Sequence, residues 1–388
     1  MTNPLTKCKL LIVIGTRPEA IKLAPVILAA RTHPGVRVTV CNTGQHADMA
    51  ADILSLFGIA PEVDLAVMKP RQSLTDISCA VLAALEPILA GQKPDWLVVQ
   101  GDTSTAFSAA LAGFYARVPV AHVEAGLRTG NVEAPWPEEM NRRLISDLAQ
   151  RHFAPLDSNV VNLLREGIPS DRVVVTGNTG IDALKYIVGR LGKDKPFGER
   201  AQAALDATKL AALRVGSSAK IVLVTGHRRE SFGEGFRSIC AALAELAQRF
   251  PERQFVYPVH PNPEVRDTVQ RELGSKLINF HLIEPLDYLP FVLLMTRAEL
   301  ILTDSGGIQE EAPSIGKRVI VLRQVTERTE GVETGLIRLA GTDRARIVAD
   351  ATAAFEARWR VKPEGTDVYG DGHAAERIVN VLVVATRR

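Results

Sequence analysis

Residues 96–115 read WLVVQGDTSTAFSAALAGFY, which predicts a buried strand over Trp96–Gln100, a loop at 101–103 and a helix through Tyr115. A continuous apolar strand, a glycine-containing loop and a helix in that order are typical of a parallel sheet covered on both faces. The same order follows four further runs, at Leu10–Ile14, Arg172–Thr176, Ile221–Thr225 and Leu300–Thr303. The sequence therefore predicts an α/β protein.

This pattern begins twice along the chain. Residues 15–19 (GTRPE) and 226–230 (GHRRE) each follow an opening strand, and the region between Leu184 and Lys220 differs in composition and is interpreted as a boundary. We expect two doubly wound domains, over residues 1–185 and 186–370, that face each other across a cleft. A C-terminal helix within 371–388 packs on either of them. Ligands bind such sheets at the carboxyl ends of the strands, so the loops after the strands are expected to line the cleft.

The composition excludes several classes of protein. The 388 residues carry 46 Lys and Arg against 44 Asp and Glu, a net charge of +2 that argues against nucleic-acid or membrane binding over the whole surface. The longest apolar stretch, Ile77–Gly91, is interrupted by Glu86 and Pro87 and falls short of the roughly 20 residues of a spanning helix. The first apolar run is too short for a secretory signal. Four scattered cysteines predict reduced thiols in a cytoplasmic protein: Cys8, Cys41, Cys79 and Cys240.

The sequence lacks the motifs of several cofactor-dependent and covalent mechanisms. It contains no GxxxxGK[ST] phosphate loop, no HExxH zinc motif and no GxSxG nucleophile elbow. Residues 233–235 (GEG) lack the third glycine of a dinucleotide fingerprint, and residues 122–124 (HVE) lack the PCxxC partner of zinc deaminases. We therefore expect no bound metal, no hydride cofactor and no acyl-enzyme.

Residues 304–311 (DSGGIQEE) predict an anion site after the strand Leu300–Thr303. Gly306 and Gly307 let a ligand approach the backbone, and the free amides of the following helix suit a phosphate. Glu311 lies one turn into that helix, where it can accept a hydrogen bond from a sugar hydroxyl. The alternative is an ordinary helix start capped by Ser305.

Three cations are candidates for holding a diphosphate leaving group: Arg17, Lys22 and Arg328. For Arg17 and Lys22 the alternative is a solvated first helical turn. Two lone histidines, His227 and His260, follow strands of the second half and are interpreted as either structural or part of the site.

Four carboxylates at loop positions are candidates for acid–base chemistry. Asp102 follows one strand, Glu124 ends the next, and Glu138 and Glu139 follow Pro135-Trp136-Pro137. Paired carboxylates in a closed cleft can have their pKa values pushed apart, which yields an acid and a base. The alternatives are a helix cap for Asp102 and a helix-dipole partner for Glu138.

Together these segments closely resemble the non-hydrolysing bacterial UDP-N-acetylglucosamine 2-epimerases. The matching segments are 15–22 (GTRPEAIK), 101–103 (GDT), 122–129 (HVEAGLRT), 135–142 (PWPEEMNR), 225–233 (TGHRRESFG), 303–313 (TDSGGIQEEAP) and 369–372 (YGDG). They run in order along nearly the whole chain, so the resemblance is far more specific than any single motif.

The resemblance implies a GT-B type fold, with two Rossmann-like domains about a deep cleft. It implies the interconversion of UDP-GlcNAc and UDP-ManNAc without metal or NAD. The C2 proton is removed, UDP leaves by anti elimination to give 2-acetamidoglucal, and UDP adds back after protonation on the other face. It further implies a homodimer and a supply of UDP-ManNAc for cell-surface polysaccharide synthesis.

The resemblance also assigns roles to residues, with catalysis in the N-terminal domain and UDP binding mainly in the C-terminal one. The catalytic set is Asp102, Glu124, Glu138 and His227. The UDP-binding set is Arg17, Lys22, His260, Ser305, Gly306, Gly307, Glu311 and Arg328, with Phe291 beside the uracil and Arg142 close to the sugar. Some members are activated by a second UDP-GlcNAc, and Gln45, His46 and Arg71 match that allosteric site.

Two departures stand out. Residues 324–329 read QVTERT where DTTERP is usual, so the arginine is kept in an altered loop. Gln100 stands where a histidine is expected before Gly101-Asp102.

Three other functions remain open from the sequence. A hydrolysing relative would release ManNAc and UDP, a GT-B glycosyltransferase would form a glycoside, and an inert relative would bind the nucleotide sugar without turnover.

Overall fold

Two parallel sheets carry the fold, one in each of two units of the chain. The computed structural model describes residues 7–44, 47–69, 71–226, 233–260, 262–274, 277–326, 328–361 and 366–387. Unit 1 comprises Met1–Ala183 with Gly370–Arg388, and unit 2 comprises Leu184–Tyr369.

The sheet of unit 1 has seven strands among the described residues. They are β1 (Cys8–Ile14), β2 (Val36–Asn42), β3 (Val63–Asp64), β4 (Trp96–Gln100), β5 (Val120–Val123), β6 (Arg151–Ala154) and β7 (Val173–Val175). Their order is β3-β2-β1-β4-β5-β6-β7, and every pairing is parallel. The central strands are buried on both faces, which accounts for their continuous apolar sequences.

Seven helices join or flank these strands before the boundary. They are α1 (Arg17–Thr32), α2 (Ala47–Leu56), α3 (Leu74–Gln92), α4 (Ser104–Tyr115), α5 (Glu138–Leu148), α6 (Asp157–Arg165) and α7 (Thr179–Lys193), the last of which continues into unit 2. One core cluster places α3 and α4 against the sheet through Val81, Leu85, Ala109, Leu97 and Val99.

Unit 2 repeats the arrangement with six strands in the part of the chain that the structure describes. They are β8 (Lys220–Thr225), β9 (Arg253–Pro258), β10 (Phe280–Ile283), β11 (Ala298–Thr303), β12 (Arg318–Val321) and β13 (Ile337–Leu339), in the parallel order β10-β9-β8-β11-β12-β13. The helices are α8 (Lys195–Asp206), α9 (Glu234–Arg249), α10 (Pro263–Leu273), α11 (Tyr288–Arg297), α12 (Gly306–Ser314), α13 (Thr329–Glu333) and α14 (Arg344–Phe355). The predicted fold class, α/β with two doubly wound Rossmann-like domains, is confirmed.

Each sheet reverses its strand order at one point. In unit 1 the reversal lies between β1 and β4, and in unit 2 it lies between β8 and β11. Loops that follow adjacent strands at such a point diverge to opposite faces and leave a crevice at the carboxyl ends. The predicted site segments at residues 15–17, 101–103, 226 and 304–306 all follow these four strands.

The C-terminal helix α15 (Ala374–Thr386) belongs to unit 1 and packs on α1. The indole Nε1 of Trp96 donates to the Thr386 hydroxyl at 2.9 Å, and the Ala375 N–H donates to the Asp182 carboxylate at 2.8 Å. The two ends of α15 are therefore tied to residues from distant parts of the same unit.

Two predicted elements differ from the structure. The apolar stretch at Ile77–Gly91 is not broken at Pro87: α3 runs through it for 19 residues and, by length and composition, is long enough to cross a membrane. One side of α3 is buried in the core through Ile77, Val81, Leu85 and Leu89.

The second difference concerns the helix after residue 178, which the sequence predicts to be short. That helix is α7, and it extends over 15 residues to Lys193 because Ile181, Leu184 and Ile187 form a fully buried stripe. The Ala-rich segment of the boundary region forms α8, which follows at once and packs on α11.

Candidate functional site

In unit 1, the buried carboxylate of Glu19 joins the two loops at the strand-order reversal. Its Oε2 accepts hydrogen bonds from the backbone N–H groups of Gly15 (2.7 Å) and Thr16 (2.6 Å), and its Oε1 accepts one from the Thr103 hydroxyl at 2.5 Å. Burial raises the pKa of Glu19, and these three hydrogen bonds offset part of that rise. The loops that carry Arg17 and Asp102 are thereby held together.

Asp102 is fixed by two successive residues of α5. The Arg142 guanidinium donates from Nη2 to Asp102 Oδ2, and the Asn141 amide donates from Nδ2 to the Asp102 backbone oxygen at 2.9 Å. The cap of α4 is Thr103, whose hydroxyl accepts from the Ala106 N–H, so the capping role that sequence allowed for Asp102 is wrong. The Asp102 side chain keeps 26% of its exposure, which leaves it open to a ligand.

Glu124 lies beside Asp102 in the fold because β4 and β5 are neighbours, with the Gly101 N–H donating to the Val123 carbonyl at 3.0 Å. Lys22 Nζ contacts both Glu124 carboxylate oxygens, at 2.5 and 2.6 Å, and Gln100 Nε2 donates to Oε2. The Glu124 backbone has φ = +64°, a left-handed conformation that is uncommon for a residue with a side chain.

His122 supports the loop that carries Asp102. Burial lowers the pKa of His122 to about 3, and nearby His152 and the cations Arg128 and Arg142 add to that effect, against the Gly101 carbonyl contact. The ring is therefore neutral, and since a carbonyl can only accept, its Nε2 donates to the Gly101 oxygen at 2.7 Å.

Glu138 and Glu139 begin α5 and have opposite environments. Glu138 is half-buried, and among the described residues its carboxylate has no hydrogen-bond or ion-pair partner. Glu139 is fully buried, accepts N–H groups of Thr129 (3.0 Å) and Gly130 (3.3 Å), and pairs with Arg142 at 3.3 Å. Burial would raise the pKa of Glu139, but these contacts outweigh it and hold the pKa below its usual value. Glu138 thus lies in the first turn of α5, as the sequence suggested. The contacts of Glu139 hold that turn in place.

The two predicted cations of α1, Arg17 and Lys22, differ in whether they form an ion pair. Lys22 pairs with Glu124, whereas Arg17 opens α1 half-buried and has no ion-pair partner in the described part of the chain. Arg17 is therefore the cation of this loop that is available to an anionic ligand.

In unit 2, Arg328 lies against the first residue of α12. A Cβ added to Gly306 would stand 2.8 Å from Arg328 Cζ, so the glycine is required for this approach. The guanidinium Nε donates to Glu310 Oε1 at 2.6 Å. A cation thus lies beside the amino terminus of a helix, which is the arrangement that suits a phosphate.

The altered loop around Arg328 is anchored from two sides. The Thr326 hydroxyl donates to Gln309 Oε1 at 2.6 Å and accepts the Arg328 N–H at 3.1 Å. The Tyr369 hydroxyl donates to the Arg328 carbonyl at 3.2 Å and accepts the Gly331 N–H at 3.0 Å. Burial raises the pKa of Tyr369, so the phenol keeps its proton for this contact.

Ser305 precedes α12 without capping it. Its side chain makes no capping hydrogen bond, so the ordinary capped start that sequence allowed is wrong. Its N–H donates instead to the Thr303 hydroxyl at 2.9 Å, and that hydroxyl is 2.6 Å from the Thr225 hydroxyl of the neighbouring strand.

The remaining predicted residues are spread over unit 2 and the loops of unit 1. His260 is exposed after β9, and its Nδ1 accepts the Asn262 N–H at 3.1 Å. Phe291 is half-buried on α11, and on α12 Gly307 is exposed and Glu311 is half-buried. Arg71 is exposed in a turn. Gln45, His46 and His227 lie outside the described residues. Within the described residues, no group of three or more His, Cys, Asp and Glu side chains could hold a metal ion.

Sequence reasoning missed Glu19, Asn141 and Glu310, and it noticed Gln100 only as a departure. It included Glu139 among the candidate carboxylates but not in the catalytic set. A signal existed for Glu19, because Thr16 and Glu19 have the spacing of a capping box. The others contact residues that are brought together by the fold.

Comparison with known proteins finds sugar-nucleotide epimerases. A family model described as UDP-N-acetylglucosamine 2-epimerase matches residues 28–383. The chain is 51% identical over 379 residues to the UDP-N-acetylglucosamine 2-epimerase of Salmonella typhimurium, covering 96% of this chain and 98% of that protein. It is 50% identical to the enzyme of the same name from Escherichia coli K12, with the same coverage. The crystal structure of UDP-GlcNAc 2-epimerase from Neisseria meningitidis bound to UDP-GlcNAc is 46% identical, covers 97% of this chain and 100% of that chain, and gives a TM-score of 0.84.

Proposed function

The chain belongs to the UDP-N-acetylglucosamine 2-epimerase family, and we propose that it interconverts UDP-GlcNAc and UDP-ManNAc by the non-hydrolysing route. A base takes the C2 proton, the C1–O bond breaks with its electron pair leaving on UDP, and a C1=C2 double bond forms in 2-acetamidoglucal. In the second half, C2 is protonated on the opposite face and UDP re-forms the bond to C1. No water is consumed, so both products remain nucleotide sugars.

The observation that carries this proposal is the pair of strand-end carboxylates in unit 1. Asp102 and Glu124 follow adjacent parallel strands, and each is oriented by a cation, Arg142 or Lys22. A proton on C2 of a sugar is very weakly acidic, so its removal needs a base that is already positioned. Inversion needs a proton-transferring group on each face, and two or three carboxylates at one sheet edge supply them.

Glu138 is proposed as the third member of this acid–base set, with His227 assisting. The carboxylate of Glu138 has no cation partner among the described residues, so no ion pair with those residues restrains its position. Asp102 and Glu124, by contrast, are each paired with a cation, Arg142 or Lys22.

UDP is proposed to bind mainly through residues of unit 2. Arg328 and the amides of Gly306 and Gly307 suit the diphosphate, and the same contacts stabilise it as it leaves. The other proposed contacts are Arg17, Lys22, Arg142, His260, Phe291, Ser305 and Glu311. A second UDP-GlcNAc is proposed to act as an activator through Gln45, His46 and Arg71.

We further propose that the protein is a cytoplasmic homodimer and that its UDP-ManNAc serves polysaccharide synthesis. Light scattering during size-exclusion chromatography measures the mass directly. One chain weighs 42.1 kDa, so a particle of that mass contradicts the dimer.

The test of the activity is a proton NMR time course with UDP-GlcNAc in D₂O, without added metal or NAD. We expect UDP-ManNAc to appear and the H2 signal to be lost from both sugars. Free ManNAc would show the hydrolysing reaction instead. An unchanged spectrum in a protein that binds UDP would overturn the epimerase proposal.

A further inference from the structure

Gln100 contacts the Glu124 carboxylate from the strand next to it. Gln100 is the last residue of β4, its side chain is 3% exposed, and its Nε2 donates to Glu124 Oε2. Lys22 Nζ reaches both oxygens of the same carboxylate from α1. Oε2 therefore has two donors, and Oε1 has Lys22 alone among the described residues.

The two donors differ in what they can specify. A lysine ammonium is a point charge that contacts either oxygen, so it attracts the carboxylate without selecting its rotation. A glutamine amide is a directional donor on a short side chain that is buried here, and it donates to one specific oxygen of the carboxylate, Oε2. It is also neutral and does not titrate, so it remains a donor across the working pH range.

The backbone of Glu124 makes such a contact necessary. Its φ of +64° is a conformation that persists only where neighbouring groups impose it, and such conformations concentrate at functional sites. Strain at the Cα atom displaces the side chain from the direction that a regular strand would give it. The contacts to Gln100 and Lys22 are what fix the carboxylate at its far end.

We propose that Gln100 is a positioning residue for Glu124, which holds Oε2 so that Oε1 is presented to C2 of the sugar nucleotide. This inference rests on the proposed function, because it assigns Glu124 a proton-transfer role. Gln100 itself does not touch the substrate in this proposal. It acts on turnover through the orientation of Glu124, and leaves UDP binding to other residues.

Further charged and titratable groups lie on the elements around Glu124. These groups include Arg17, Glu19 and Lys22 on α1, Asp102 after β4, Glu138, Glu139, Arg142 and Arg143 on α5, His122 on β5, and Arg151 and His152 on β6. None of these is altered by a substitution at Gln100, so a change in pH dependence there reports on the contact to Glu124.

Three substitutions separate positioning from simple packing. Gln100→Met keeps the volume and removes the donor, Gln100→His restores a donor, and Gln100→Glu replaces the donor by a second carboxylate. The control is Gln92→Glu, which makes the same change of charge at the end of α3. Gln92 lies near Lys9 and Pro94, at the amino ends of β1 and β4 and not at their carboxyl ends. Each variant is checked for folding by circular dichroism and for UDP affinity by calorimetry.

Gln100→Met is expected to lower kcat at least ~10-fold, with KM changed less than about twofold, since misorientation affects the transition state and not binding. Gln100→His is expected to recover most of that loss near neutral pH. Gln100→Glu is expected to move the acidic limb of the kcat profile upward by about one pH unit or more, because two adjacent carboxylates share a proton. Gln92→Glu is expected to leave kcat and its pH profile unchanged.

An acidic limb that does not move in Gln100→Glu, or a Gln100→Met variant that raises KM at unchanged kcat, would overturn the positioning role. Equal losses in the Met and His variants would also overturn it, since packing alone would then explain them. Failure of the proposed function looks different: the wild-type protein itself would produce no UDP-ManNAc and no exchange at C2.

Discussion

The guanidinium of Arg142 and the carboxylate of Asp102 form an ion pair between α5 and the loop after β4, across 40 positions of sequence. The Arg142 side chain is 7% exposed, and Asn141 on the same helical turn holds the Asp102 backbone oxygen. One turn of α5 therefore fixes both the main chain and the side chain of the proposed base. The same arginine reaches back to the buried Glu139.

Asp102→Asn is expected to lower kcat by about 100-fold or more, because the amide cannot accept the C2 proton. It keeps an oxygen for Arg142, so the loop should hold its conformation. UDP affinity, measured by calorimetry, should be unchanged. Asp95→Asn is the matched control, since Asp95 accepts the Lys9 N–H near the start of β4. A collapse of UDP affinity in Asp102→Asn would show that Asp102 serves binding and not proton transfer.

Arg142→Met should destabilise unit 1 by about 3 kcal/mol, because it leaves the fully buried Glu139 without its buried cation. Arg143→Met is the control: Arg143 also contacts Glu139, at 3.2 Å, but is 36% exposed. Its loss should cost less than about 1 kcal/mol. Urea unfolding measures the free energy of unfolding of both variants. Equal losses would contradict the expectation that the buried Arg142 contributes more to stability than the exposed Arg143.

Acid should destabilise the protein through the buried histidines of β5 and β6. Burial lowers the pKa of His122 to about 3 and that of His152 to about 4, whereas the unfolded chain takes up protons near 6.5. The unfolded state then binds more protons, so stability is present above pH 6.5 and is lost as the pH falls toward 4 and then 3. Glu139, with its lowered pKa, acts in the same direction at the acidic end.

His152→Leu should flatten that pH dependence between about pH 6.5 and 4. The measurement is the urea midpoint as a function of pH, with exposed His373→Gln as the control. A wild-type midpoint that is constant over this range would show that these histidines are not held neutral in the folded state.

Gly306→Ala should weaken UDP binding about tenfold, because its Cβ would occupy the position of the Arg328 guanidinium. Arg328→Ala should weaken binding by a similar or larger factor. In the Arg328→Ala background, Gly306→Ala should cost almost nothing more, since the two act through one contact. Calorimetry with UDP on the four proteins gives the coupling.

Additive losses in that cycle would contradict the prediction and assign Gly306 an independent contact. Gly307→Ala completes the comparison, because a Cβ there meets nothing within 4 Å and leaves Arg328 in place. Its effect on UDP binding isolates the approach of the ligand to the helix amides.

The order of strands, loops and helices could be predicted because each is encoded by neighbouring residues. Trp96–Gln100 and the helix through Tyr115 were placed at the observed bounds of β4 and α4. The prediction of a short helix after residue 178 was wrong, because tertiary packing outweighs local propensity there. Helix α7 continues through Gly189 and Gly192 because one side of the helix is buried in the core. Helix α3 runs through Pro87 in the same way, with one side buried.

The candidate site was predicted as a set of residues and not as a set of contacts. Asp102, Glu124 and Arg328 were all selected from sequence, yet their partners Arg142, Gln100 and Glu310 were not assigned to them. Lys22 was assigned to UDP, and the structure pairs it with Glu124, 102 positions away.

The sequence by itself determined the fold class, the family and the chemical types at the site, because motifs and periodicity are local properties of the chain. Only the tertiary structure decided which charge is held by which partner. Those pairings depend on β4 lying between β1 and β5, an order of strands that no local segment encodes. That order brings α1, β4, β5 and α5 to one sheet edge, and so decides that Glu124 is held by Lys22 and Gln100 while Asp102 is held by Arg142.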